Sequence, residues 1–173
     1  MAVDIFLKLD GVTGESQDSV HKDEIDVLSW SWGMSQSGTT HMGGGGGSGK
    51  VSVQDLSLTK YLDASSPTLQ KFCANGKHVK WARFTARRAG TEGGTPLDYL
   101  FVDFGDLIIS SYDISGVGTD GWPQETIAFS YGQIVMTYKQ LSKGIGQGPI
   151  QGGYDAEKNK KIAAVDGAPG LPK

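Results

Sequence analysis

Cysteine is almost absent from this chain. Cys73 stands alone, so no internal disulfide forms and no cysteine-based zinc cluster can be assembled. Long apolar runs are missing too: no stretch approaches the roughly 20 residues that a membrane helix needs. The opening MAVDIFLKLD has neither the basic region nor the long apolar core of a secretory leader. These absences predict a soluble protein made in the cytoplasm, without direct membrane insertion. If it leaves the cell, a machine other than the general secretory route carries it. Basic excess is lacking as well. Sixteen Lys and Arg against nineteen Asp and Glu give a net charge of −3, which argues against nucleic acid as a partner. Histidine is sparse: His21, His41 and His78 are scattered, and none sits in a metal-ligand arrangement. No serine occupies a G-x-S-x-G turn and no Cys/His signature is present. The sequence therefore calls for no catalytic residue, no metal and no cofactor.

Glycine, by contrast, is abundant, with 26 residues. Residues 43–50 read GGGGGSGK, and Gly44, Gly49 and Lys50 fit the G-x-x-x-x-G-K spacing of a phosphate-binding loop. The chemistry of such a loop demands more. A Ser or Thr must follow the lysine to hold Mg²⁺, and the loop must open a helix. Here Val51 follows Lys50, and VSVQDLSL alternates small polar with apolar residues, a strand pattern. YLFVD (Tyr99 to Asp103) resembles the strand and acid of a nucleotide site, but four apolar residues before an aspartate are common in β proteins. An NTPase thus rests on the glycines alone.

The rest of the chain reads as strands. Val3, Ile5, Leu7 and Leu9 alternate with Asp4 and Lys8, giving one buried face. IDVLSWSWG sets Leu28, Trp30 and Trp32 against Val27, Ser29 and Ser31; the tryptophans are expected to anchor the core. Ser35 to Lys50 forms a long connection without periodicity. Ordering it costs roughly 1–2 kcal/mol per residue in backbone entropy, and glycine offers no side chain to bury in return. Two readings stand: a loop ordered against another copy of the protein, or an unstructured tip between two strands. SSPTLQKFCANG (65–76) is the one helical segment. Ser66 is expected as N-cap, Pro67 at the first helical position and Gly76 as the C-terminal cap. Leu69, Phe72 and Cys73 share a face that docks on the sheet. KHVKWARFTARR places Lys80, Arg83, Arg87 and Arg88 on a strand, read as a solvated or partner-facing edge. LDYLFVDFGDLIISSYDIS is one bent strand or two. In ETIAFSYGQIVMTYKQL the apolar phase changes at Gly132-Gln133, which predicts a bulge. The expected organisation is a β-barrel domain over 1–140, carrying the Gly-rich loop 35–50. An extended arm with a frayed tail follows over 141–173.

Several of these segments together carry a family pattern. HKDEIDVLSWSWGMSQ, the Gly-rich loop, VSVQDLSLTKYLDASSPTL, GKHVKWARFTARRAG, DYLFVDFGDLIISSYDISG and GGYDAEKNKK resemble Hcp, the haemolysin-coregulated proteins of bacterial type VI secretion systems. The resemblance covers nearly the whole chain; only the final dozen residues show no family pattern. It implies a mainly β fold, a compact β-barrel of two packed antiparallel sheets with one flanking helix at about 66–75. It also implies a homohexameric ring that stacks into a tube and is expelled through a contracting sheath. The implied partners are further copies of itself, the spike, sheath and baseplate components, and small effectors carried in the lumen. The implied itinerary is assembly in the cytoplasm followed by export to the outside or a target cell. Within that frame Ser29 and Ser31 are candidates for the lumen wall, or else face another strand or solvent. Ser35, Gln36, Gly43, Gly44, Gly45, Gly46, Gly47, Ser48, Gly49 and Lys50 are candidates for contacts between subunits or rings. The alternative is a monomeric β-barrel binding a peptide or carbohydrate, with Trp81 or Trp122 supplying an aromatic site.

Overall fold

A computed structural model describes residues 3–37, 51–88, 96–116, 118, 121–140 and 148–171. The first strand, β1 (Val3–Leu9), buries Leu7 and Leu9 on its inner face. Its outer face buries Phe6, whose ring stacks on His21 with centroids 4.2 Å apart. The polar loop after β1 thus folds back and covers it.

Strand β2 (Ile25–Asp26) pairs with β1, and β3 (Ser29–Ser31) pairs with β6 (Leu56–Tyr61). Between them Val27 N–H donates to Ile5 and Leu28 N–H donates to Thr59. This single stretch therefore bridges two strands that do not pair with each other. The remaining strands run β1–β7–β8–β9–β6 in hydrogen-bonded order, with β7 (Val79–Arg88), β8 (Leu97–Ser115) and β9 (Gln124–Tyr138). With β2 and β3 crossing from β1 to β6, the barrel closes. Every pairing is antiparallel, as a mainly β barrel built from local connections requires. The crossing also inverts the expected phase: Val27 is buried and Leu28 exposed. Trp30 and Trp32 are only half-buried. Trp30 leans on Phe84 at 4.5 Å, and Trp32 likewise packs against the core from its rim.

The long stretch after residue 96 is one strand, β8, and its register against β9 slips between Ile109 and Ser111. The bulge lies there, and β9 keeps its register through Gly132-Gln133. The phase change at that dipeptide has another cause. One edge of β9 pairs with β6 up to Phe129 and with β10 (Ile150–Asp155) from Gln133 onward, so its neighbours change there. A short strand, β11 (Lys160–Lys161), closes the series. Tyr154 hydroxyl bonds Asn159, and Asp155 accepts the Lys158 N–H at 2.8 Å, which builds the turn encoded by GGYDAEKNKK. Gly153 permits the close approach there: a Cβ would stand 2.5 Å from the Ile162 carbonyl oxygen.

Helix α1 (Ser66–Asn75) packs on β8 through Leu69 and Phe72, and Cys73 is half-buried beside them. Its N-cap is Ser65, one residue earlier than expected, because the Ser66 hydroxyl is drawn inward to Glu125 at 2.9 Å. Gly76 ends it at φ 62°, with the Lys77 N–H returning to Phe72, as a left-handed cap demands.

Two further expectations are corrected. Arg83 and Arg87 are not solvated: both are buried, because each finds a carboxylate fork within its own sheet. Nor does the tail fray through Gly170. Val165 is buried against Gly105, where a Cβ would meet it at 2.6 Å. Asp166 exchanges hydrogen bonds with Gln133. Arg83 donates to the Pro169 and Gly170 carbonyls at 2.5 and 2.8 Å, so the segment lies strapped across β7, β8 and β9.

Candidate functional site

Among the described residues, three clusters gather side chains able to do chemistry, and their members are engaged in hydrogen bonds and ion pairs. In the first, Lys60 and Glu125 are both 0% exposed and 2.6 Å apart. Lys60 also donates to Asp63, Ser66 and the Tyr61 carbonyl. Glu125 accepts from Ser66 and Tyr112. Burial, then the hydrogen bond and charge of Glu125, hold the Tyr112 phenol protonated well above its usual range. The cluster ties α1 to β6, β8 and β9. In the second, Arg83 grips Asp103 with two bonds of 2.6 and 2.8 Å. The aspartate of YLFVD is thus committed to an arginine, and β5 (Ser52–Val53) rather than a helix follows the glycines. Both facts count against a phosphate-binding loop.

The third cluster joins His21, Glu24, Asp98, Arg87 and Asp18. His21 reaches Glu24 at 2.9 Å through Nδ1 and Asp98 at 3.3 Å through Nε2. Arg87 forks to Asp98 and to both oxygens of Asp18. Burial alone would lower the His21 pKa, but hydrogen bonds and charge from Glu24 and Asp98 outweigh it and raise it above the ordinary value. For Asp18, burial is outweighed by the backbone N–H groups of His21 and Val20 and by Arg87, so its pKa is lowered. The signs give a prediction. The His21 contribution to stability is complete below about pH 6.5 and lost as pH rises through the raised folded pKa. The Asp18 contribution is lost as pH falls through its lowered one. Thermal midpoints measured across pH 6–9 should decline in the parent protein and flatten in His21→Phe, which keeps the stack on Phe6. Equal slopes would remove His21 from the account.

Sequence reasoning missed these clusters because their members lie far apart in the chain, 77 residues for His21 and Asp98 and 65 for Lys60 and Glu125. No group of His, Cys, Asp and Glu able to hold a metal occurs among the described residues, and no described helix is long and apolar enough to cross a membrane.

The surface shows a different character. Ser29 and Ser31 are exposed on β3. Ser35 belongs to β4 (Met34–Ser35), which pairs with β5, so the glycine-rich connection rises from a hairpin base. Gln36 is exposed beyond it. Gly43, Gly44, Gly45, Gly46, Gly47, Ser48, Gly49 and Lys50 lie outside the described residues. Beside the hairpin base an open groove of about 460 Å³ is lined by Trp32, Met34, Ile134, Met136, Tyr138 and Ile150, with β10 forming one wall. Three of these side chains, Met34, Tyr138 and Ile150, are exposed, Ile150 at 63%, and such patches mark protein contacts. Trp81 is covered by the C-terminal segment at Gly167 and Trp122 stands in the turn before β9. Neither lines the groove, so no aromatic platform for a sugar is assembled from them.

Known proteins share this geometry. The family described as "Type VI secretion system effector, Hcp" matches residues 6–138. Protein hcp1 of Pseudomonas aeruginosa is 45% identical over 161 residues, 92% of this chain and 98% of that protein. Among solved structures, Hcp1 from Salmonella typhimurium is 43% identical with a TM-score of 0.78, over 94% of this chain and 100% of that one. A type VI secretion system effector from Yersinia pestis is 36% identical with a TM-score of 0.71, over 88% and 99%.

Proposed function

This chain belongs to the type VI secretion Hcp family, and from that premise we propose that its copies form hexameric rings that stack into the expelled inner tube. The ring carries small effectors in its lumen and meets the spike, sheath and baseplate during firing. The protein assembles in the cytoplasm and is then exported. The observation that carries this reading is the family match, which runs through the whole barrel. Two features support it. The unpartnered apolar groove suits a protein whose surface is completed by other copies. The buried His, Lys, Glu and Asp side chains are consumed in holding strands together, which favours a structural over a catalytic role. The monomeric binding module would draw its aromatic site from Trp81 or Trp122, and neither lines the groove.

Ser29 and Ser31 line the lumen in this reading. Small polar side chains there hold cargo without gripping it. Ser35, Gln36 and residues 43–50 reach a neighbouring copy or ring in this reading, where contacts offset the entropy of ordering them. Electron microscopy of the purified protein tests the proposal: rings with a central channel support it, and particles of monomer size at every concentration contradict it. For the lumen assignment, Ser31→Trp should leave rings intact and lower the amount of effector that co-purifies with them. Unchanged retention would place Ser31 elsewhere.

A further inference from the structure

The C-terminal strap is held to the barrel in an unusual way. From Ile162 to Leu171 the chain forms neither helix nor strand, and no β-bridge joins it to the sheet. Val165 is the one residue of this stretch that is buried, while Asp166, Gly167, Pro169 and Gly170 are exposed. Even Val165 stands outside the core cluster. The core is therefore built without the strap, which lies on the barrel rather than in it.

The surface beneath carries three receiving features on adjacent strands. Trp81, Gly105 and Gln133 are cross-strand neighbours, and Arg83 and Asp103 form the next row. Gly105 provides a niche: a Cβ there would stand 2.6 Å from Val165 Cγ1. Gln133 reads one residue twice, its amide nitrogen donating to Asp166 Oδ2 at 3.1 Å and its oxygen accepting the Asp166 N–H at 3.2 Å. A third bond, from the same nitrogen to Asp155 at 3.1 Å, fixes the amide's orientation. Arg83, forked on Asp103, turns Nη1 to the Gly170 carbonyl and Nη2 to the Pro169 carbonyl. Between these contacts the Ala168 N–H returns to the Val165 carbonyl at 3.3 Å, with Gly167 at φ 79°. That tight turn needs its glycine, and it brings Pro169 and Gly170 to Arg83.

One small side chain, one aspartate and two successive carbonyls are thus recognised without a strand ladder. The receiving residues all fall within 6–138, the stretch matched by the family, and the strap falls outside it. Receiver and occupant are separate parts of the chain.

We propose that this face of β7–β9 is a peptide-binding site for segments of the form Val-Asp-Gly-x-Pro-Gly, with the strap as its resident occupant, and that a partner protein presenting such a segment binds by displacing the strap. The niche at Gly105 sets the size of the first residue, Gln133 selects the acid after it, and Arg83 holds the two carbonyls at the far end. The site goes beyond the tube reading and requires only the folded barrel. A tethered occupant competes at an effective concentration on the order of millimolar, so the parent chain masks its own site. Loosening the strap unmasks it.

The test uses the full chain and a fluorescent peptide of residues 162–173, IAAVDGAPGLPK. Anisotropy reads peptide binding to the parent, Val165→Ser, Asp166→Ala and Val165→Ser/Gly105→Ala chains, and circular dichroism checks that each is folded. The strap positions lie outside the core, and the atoms nearest to a Cβ at Gly105 belong to the Val165 and Gln133 side chains, so all four should fold. Val165→Ser and Asp166→Ala should bind the peptide saturably and at least about tenfold more tightly than the parent does. Adding Gly105→Ala should cancel that gain, and a peptide carrying Val165→Ser should not bind. The proposal is overturned if neither loosened chain binds the peptide, or if the parent binds it equally well, since the strap would then not hold the site. Binding that survives Gly105→Ala would put the peptide elsewhere and overturn it too. So would an unfolded Val165→Ser chain, which would make the strap part of the fold. Native mass spectrometry of the same samples reads the ring separately, so a failure of the tube reading is distinguished from a failure of the peptide site.

Discussion

Glu125→Ala will lower the stability of the folded chain by about 3–5 kcal/mol, the usual cost of breaking a fully buried ion pair. Lys60 sits at 0% exposure with its ammonium 2.6 Å from Glu125. Without that partner the Asp63 carboxylate, 2.9 Å away and 13% exposed, is the one remaining counter-charge beside it among the described residues, and its other hydrogen-bond partners are neutral. Tyr112 and Ser66 lose their acceptor at the same time, and burying unsatisfied hydroxyls adds to the loss. Because these bonds connect α1 with β6, β8 and β9, the helix should loosen first. The variant Lys60→Met/Glu125→Gln removes both charges and keeps an acceptor for the two hydroxyls, and should regain about half of the loss. Urea midpoints for the parent, the single and the double variant decide the matter. A single variant as stable as the parent would mean that the pair does not hold the helix.

The second large effect is expected at Arg83. Its guanidinium joins Asp103 on β8 to the Pro169 and Gly170 carbonyls of the C-terminal strap. Arg83→Met leaves a buried carboxylate with no counter-charge and releases the Pro169–Gly170 end of the strap, while Val165 and Asp166 keep their own contacts. A loss of about 2–4 kcal/mol follows from the unpaired group. Amide exchange over residues 165–170 should accelerate toward unfolded rates, while exchange in β9 changes less. Asp103→Asn, which keeps the arginine's hold on the two carbonyls, should leave the strap protected. If exchange in the strap is already fast in the parent protein, the docked segment contributes nothing.

These two clusters show where reading the chain by itself stops. Period-two alternation announced β1, β7 and β9, and Ser-Pro and Gly76 bracketed α1 to within one residue, because those signals are local. The hydroxyl of Ser66 competes between capping and Glu125, and only the fold decides that contest. Val27 and Leu28 were assigned to opposite environments from those observed because the chain passes from one barrel wall to another between Asp26 and Ser29. Arg83 and Arg87 look solvated in a basic stretch, yet their partners arrive from β8, the loop after β1 and the strap. The strap itself has no period to betray it, since one valine, one aspartate and two carbonyls do the docking. Ser29 and Ser31 are exposed, as their alternation with the tryptophans suggests, whereas the hairpin base at Met34–Ser35 falls where the sequence shows no period. The groove gathers residues from β9, β10 and the stretch Trp32–Met34, so no window of sequence contains it.

The central claim, that this chain is a ring subunit of a secretion tube, is tested most directly by native mass spectrometry of the purified protein. A dominant species at six times 18.4 kDa is the predicted result. A monomer that persists as concentration rises to where tubes should grow would contradict it.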